Sequence, residues 1–157
     1  LKSFLNSTED SYTSAGDPKE SQVFNLSFGN TSIMLCNDSW HSQTYQNAIN
    51  DSAEIILVCS SSIGNQTMNS KWIGYDGKES LENLDLEDIG KLTKLEAWKK
   101  YSFPAQINNT QVSIGLNIFF RGDLWDLGLV GQPIVFSNNN VLPVTPAGKA
   151  GVWSLNF

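Results

Sequence analysis

Ile33-Met34-Leu35-Cys36-Asn37-Asp38-Ser39-Trp40, answered downstream by Glu54-Ile55-Ile56-Leu57-Val58-Cys59, is the stretch whose reading decides the fold class. Ile33–Cys36 is a continuous apolar run of strand length, and such runs suit strands buried on both faces of a parallel sheet. Asn37, Asp38 and Ser39 then offer the side-chain oxygens that open helices, and Trp40–Ile49 reads as a short helix. Asp51-Ser52 stops it, and Glu54–Cys59 returns as a second buried strand. Strand, helix and strand within about thirty residues make a βαβ unit, so the chain reads as α/β.

Working outward, Leu1–Glu20 is polar and irregular, with a turn signal at Gly16-Asp17-Pro18. Val23–Phe28 and Ser32–Cys36 read as a hairpin through Gly29-Asn30, a favoured turn pair. Residues 60–83 are rich in Ser, Asn and Gly and read as a long loop or insertion. Leu86, Ile89, Leu92, Leu95, Trp98 and Tyr101 fall three apart, predicting a helix with Glu87/Lys91 and Glu96/Lys100 as i,i+4 pairs. Pro104 ends or kinks it. Strands are expected at Val112–Phe120, Pro133–Phe136 and Val152–Leu155. No repeat or linker divides residues 1–157, which read as a single domain.

Composition narrows the function classes. With 157 residues and 40% hydrophobic content, the chain can bury a sizeable core. A net charge of −6 speaks against nucleic acid or an anionic membrane as partner, since both require clustered Lys and Arg. No apolar run is long enough to cross a bilayer. The chain starts at Leu1 with no visible signal peptide, so the true N-terminus and any targeting segment are expected upstream. Cys36 and Cys59 make no disulfide framework, and a reduced, cytoplasmic setting is the expectation. Against it stand N-x-[ST] frames at Asn6, Asn25, Asn30, Asn37, Asn50, Asn65 and Asn108, which leave a secreted glycoprotein as the outside reading. One His and two separated Cys supply no zinc spacing, and Gly148-Lys149-Ala150-Gly151 lacks the pattern of a phosphate loop. Neither a metal nor another cofactor is expected.

Cys36 is the most informative single residue. A thiol at the end of a buried strand, just before a helix start, sits where α/β folds place reactive groups. The N–H donors and positive end of that helix favour thiolate and can stabilise an oxyanion. The plainer alternative is a small core hydrophobe, and Cys59, with no helix start behind it, is read that way. His41 falls on the following helix as a surface or cap residue. Trp40, Trp72, Trp98 and Trp125 suit either a pocket wall or the core.

The run Ile33–His41 resembles the nucleophile segment of the nitrilase superfamily: an apolar strand, then Cys, a polar or aromatic residue, and an acidic one. Ser52–Ser61 is similar to the strand that follows in that family. Upstream, Lys2-Ser3-Phe4-Leu5 resembles the family's Lys-x-x-Leu lysine motif, with Glu9 matching its acidic residue and Gly16-Asp17 its turn. Ile107–Asn117 is similar to the helix end and strand that come next, and Gly131–Val135 stands where a Gly-Gly-Ser segment is found.

The resemblance implies an α/β fold forming roughly the second half of an αββα sandwich. It implies cysteine-dependent hydrolysis of a non-peptide C–N bond in a small amide or nitrile, through a covalent thioester or thioimidate. Cys36 is then the nucleophile, Lys2 the cation for developing charge, Glu9 an acid that positions the site, and the Asn37 backbone N–H an oxyanion donor. The departures are Asn37 after the cysteine, Asn108 in place of a glutamate, and Gln132-Pro133 in place of Gly-Ser. The family's general-base glutamate lies upstream of the lysine, and no residue here stands in for it. Two alternatives follow: an inactive homologue serving as a binding or scaffolding subunit, and acyl transfer within the same superfamily. A half-sandwich exposes a sheet face, so self-association or pairing with a missing N-terminal half is expected.

Overall fold

The computed structural model describes residues 2–20, 23–62, 68–122, 128–129, 131–144 and 154. Six strands form one mixed sheet: β1 (Val23–Leu26), β2 (Gly29–Leu35), β3 (Ile55–Ser60), β4 (Ile114–Phe119), β5 (Ile134–Ser137) and β6 (Asn140–Leu142). They lie in chain order, with β2, β3 and β4 parallel and the outer pairs antiparallel. The helices are few: α1 (Ser42–Asn50), α2 (Lys94–Tyr101) and α3 (Phe103–Ile107). The fold class is therefore α/β, built around the βαβ unit read from Ile33–Cys59. The strand expected at Val152–Leu155 lies outside the described residues, as do Trp125 and the Gly148–Gly151 segment.

Alternation along the strands sorts the sheet into two unlike faces. Met34, Ile56, Val58, Ile134 and Phe136 point to one face and share a core with Tyr45, Trp98, Phe103 and Ile107 from the helices. Gly115 is what lets α3 approach: a Cβ there would meet Ile107 and Phe103 side-chain atoms at 2.6 Å. On the other face Ile33 is 45% exposed and Leu35 38%, with Cys59 and Ile118 exposed beside them. This corrects the expectation of strands buried on both faces, and of Cys59 as a core hydrophobe. The central strands are apolar on both faces, but only one face is covered.

Three local expectations also need correcting. The β1–β2 turn falls at Ser27-Phe28, because Leu26 pairs with Gly29; Gly29 and Asn30 belong to β2. The helix expected from Leu86 to Tyr101 is interrupted. Leu86–Asp88 is a 3₁₀ turn, Gly90 takes φ +76°, and α2 starts only at Lys94. Glu87 and Lys91 do pair, but Glu96 closes a capping box with Thr93 and Lys100 reaches Asp88 instead. Finally, Asn138 and Asn139, both at positive φ, turn β5 into β6, a hairpin not anticipated from the sequence.

Among the described residues no helix is long and apolar enough to cross a membrane. Of the sequon asparagines, Asn37 is buried and Asn25, Asn50 and Asn108 are exposed; Asn65 lies outside the described residues.

Candidate active site

The strand-to-helix junction is tighter than a simple helix start. Cys36–Trp40 forms a 3₁₀ turn before α1, and Cys36 itself sits at φ +49°. An L-residue in left-handed backbone costs about 1 kcal/mol, so the surrounding contacts must impose it. Ser39 Oγ donates to the Cys36 carbonyl at 2.7 Å, Thr44 Oγ1 to the Asp38 carbonyl at 2.7 Å, and Tyr45 to the Ser39 carbonyl at 3.0 Å. The thiol lies 3.6 Å from the carbonyl oxygen of Ser61, just beyond the end of β3.

Asp38 joins this turn to the chain's beginning. Its buried carboxylate accepts N–H bonds from Ser3 and Phe4, both at 2.9 Å, and from Leu35 at 3.1 Å. Burial pushes the carboxyl's pKa up, and those three N–H groups, with Lys2 nearby, pull it back. The lysine segment is thereby held against the Cys36 turn. Lys2, only 14% exposed, donates to both carboxylate oxygens of Glu9. The Asn6 and Leu5 backbone in turn pairs with the loop around Gly77: Ser7 N–H bonds Asp76 at 3.0 Å and Lys78 N–H bonds Leu5 at 3.2 Å.

Cys36, Asn37, Glu9, Trp40, Trp72 and Tyr75 line a common cavity of about 430 Å³. All four residues singled out in the sequence thus meet: Lys2 through Glu9, and Glu9, Cys36 and Asn37 directly on the cavity. Trp40, Trp72 and Trp98 serve as both wall and core, with Trp40 and Trp98 in edge contact at 4.9 Å. The thiol's pKa is pushed up, chiefly by burial; the Ser61 contact and the charge of Lys2 oppose this, while Glu9 and Asp76 add to it. Cys36 is accordingly a thiol rather than a thiolate at neutral pH. Among the described residues no cluster of His, Cys, Asp and Glu is built to hold a metal ion.

Three residues of this region were not singled out as functional in the sequence. Asp38 was legible only as a helix-start residue, although an acidic residue two after the cysteine is part of the resemblance. Tyr75 sits in the long Ser/Asn/Gly-rich loop, where no periodicity marks it. His41 is the N-cap residue of α1, as one reading of the sequence had it, but its side chain caps nothing: it stacks on Phe4 at 3.7 Å and bonds the Tyr75 hydroxyl through Nε2 at 2.7 Å. Burial lowers its pKa, with Glu79 opposing.

No family model matches the chain, and no curated protein is similar to it.

Proposed function

We propose that the chain is a nitrilase-type carbon–nitrogen hydrolase, or the part of one that carries its nucleophile, acting on a small amide or nitrile. The observation that supports this reading best is Cys36 in left-handed backbone at a strand end. Asp38 ties its turn to the Lys2 segment, and Glu9, the partner of Lys2, shares a cavity with it. Cysteine chemistry on an amide needs a presented sulfur, a cation or donors for the oxyanion, and a walled space for the acyl group.

In the reaction, the thiol proton passes to a carboxylate base and sulfur adds to the carbonyl carbon. The oxyanion is met by Lys2 Nζ and the Asn37 backbone N–H. It collapses as the C–N bond breaks, and the departing nitrogen takes the proton from the base. Water then adds to the thioester, the C–S bond breaks, and acid and thiol are released. The family's base comes from upstream of the lysine motif; this chain's own carboxylates on the cavity are Glu9 and Asp76.

In this reading the sheet's open apolar face is where the second half of an αββα sandwich, or a second copy, packs. Ammonia release from a panel of small primary amides and nitriles, abolished in Cys36→Ala, is the expected result. A Cys36 that is never acylated and a panel that releases no ammonia would sink it. The upward push on the thiol favours one rival, an inactive binding subunit. That reading expects amides to raise the melting temperature without being turned over.

A further inference from the structure

Tyr75 is held more firmly than a loop residue requires. Gly77 has no side chain, and a Cβ there would fall 2.0 Å from the Tyr75 hydroxyl, so the phenol lies folded across its own turn. The turn is pinned to the Lys2–Glu9 segment by the Asn6–Gly77 bridge and the backbone bonds flanking it. Trp40 packs against the ring at 5.3 Å, and His41 Nε2 fixes the hydroxyl at 2.7 Å. Tyr75 lines the same cavity as Cys36 and Asn37.

Two further facts bear on which way the phenol proton points. The Asn37 carboxamide stands beside the Tyr75 hydroxyl and favours its charged form, while its buried Nδ2 has no hydrogen-bond partner among the described residues. His41, kept neutral by burial, can present Nε2–H to the phenol oxygen. With that N–H donating to the oxygen, the hydroxyl's own proton is left for an acceptor in the cavity. Burial also holds the phenol firmly un-ionised, so it remains a donor across the working pH range.

We propose that Tyr75 is a catalytic hydrogen-bond donor to the oxygen of the tetrahedral adduct on Cys36, with His41 as its positioning residue. The role rests on Cys36 being the nucleophile. Lys2 already gives hydrogen bonds to both oxygens of Glu9, so a neutral donor on another wall adds stabilisation that the ion pair does not supply. No proton is transferred in this step: the O–H bond lengthens toward the oxyanion and recovers when the adduct collapses.

Two probes separate this role from a structural one. Acetylation of Cys36 by p-nitrophenyl acetate passes through an oxyanion; alkylation by iodoacetamide does not. In a Cys59→Ser background, which removes the exposed thiol, each is followed by peptide mass at Cys36, and the first also by nitrophenolate release. Tyr75→Phe is expected to slow acetylation by about 10- to 100-fold while alkylation stays within about twofold. Gly77→Ala, which displaces the phenol, follows Tyr75→Phe. His41→Phe, which keeps the stack on Phe4 but removes Nε2, gives a smaller loss of the same kind. Equal loss with both probes, or no loss with either, overturns the role of Tyr75. A Cys36 inert to both probes in the parent overturns the nucleophile itself, and the Tyr75 role with it.

Discussion

At the scale of single residues, the site depends on one carboxylate. Asp38 accepts three backbone N–H bonds from two segments far apart in sequence, so its removal strands donors that the fold has already desolvated. Asp38→Ala is expected to cost about 2–4 kcal/mol, read from a urea midpoint with unchanged slope. Asp38→Asn should cost less, because its carbonyl oxygen can still serve Ser3 and Phe4. The backbone of Cys36 makes a second prediction. Cys36→Gly should be more stable than Cys36→Ala by about 1 kcal/mol, since only glycine takes φ +49° without penalty. The pH dependence has a definite sign. Burial and Glu9 raise the thiol and Lys2 lowers it, so the alkylation rate should climb through a midpoint above that of an ordinary cysteine. Lys2→Gln should move that midpoint further up and Glu9→Gln should bring it down; a midpoint at neutral pH in the parent would contradict the burial argument.

At the scale of elements, Gly115 sets the distance between α3 and the sheet. Gly115→Ala should cost about 1–3 kcal/mol by overpacking against Phe103 and Ile107, and should lower the thermal midpoint without altering Cys36 alkylation. The same scale shows what was legible in the sequence. The β2–α1–β3 unit could be read because its apolar runs are continuous and bounded by residues with known turn and cap chemistry. The Leu86–Tyr101 helix misled because residues three apart also match a 3₁₀ turn followed by an extended connection. Gly90, in left-handed backbone, was the breaker inside that run. Thr93-Lys94-Leu95-Glu96 held the true start signal, a capping box, which a charge-pair reading of Glu96 obscured. Cys36 was marked by its place between a buried strand and a helix start, whereas Lys2, Glu9 and Asn37 were reached through a resemblance spread along the chain. Tyr75 could not be, since what singles it out is a contact with His41 across thirty-four residues.

At the scale of the whole molecule, the sheet's two faces carry similar residues but differ in cover. Ile33, Leu35, Cys59 and Ile118 form an apolar area on the open side, and such surfaces mark contact with another polypeptide. Sedimentation should show species heavier than the 17.3 kDa chain, and Ile33→Glu with Ile118→Glu should shift them to monomer. Cys59 reports the same event independently, becoming slower to alkylate as concentration rises. A parent chain that sediments as a monomer throughout, with Cys59 equally reactive at all concentrations, would show that the open face has no partner in this chain.

The three hydrogen bonds to Asp38 also set a timetable. Residues 3 and 4 must find a carboxylate more than thirty positions along the chain before Lys2 stands near the thiol. Closing that loop carries an entropic cost that the three bonds must offset. Until then the cysteine is an ordinary one on an unconstrained strand. A nascent or misfolded copy therefore carries a thiol of ordinary acidity, and the buried, less readily ionised thiol beside Lys2 arrives only with the completed tertiary structure.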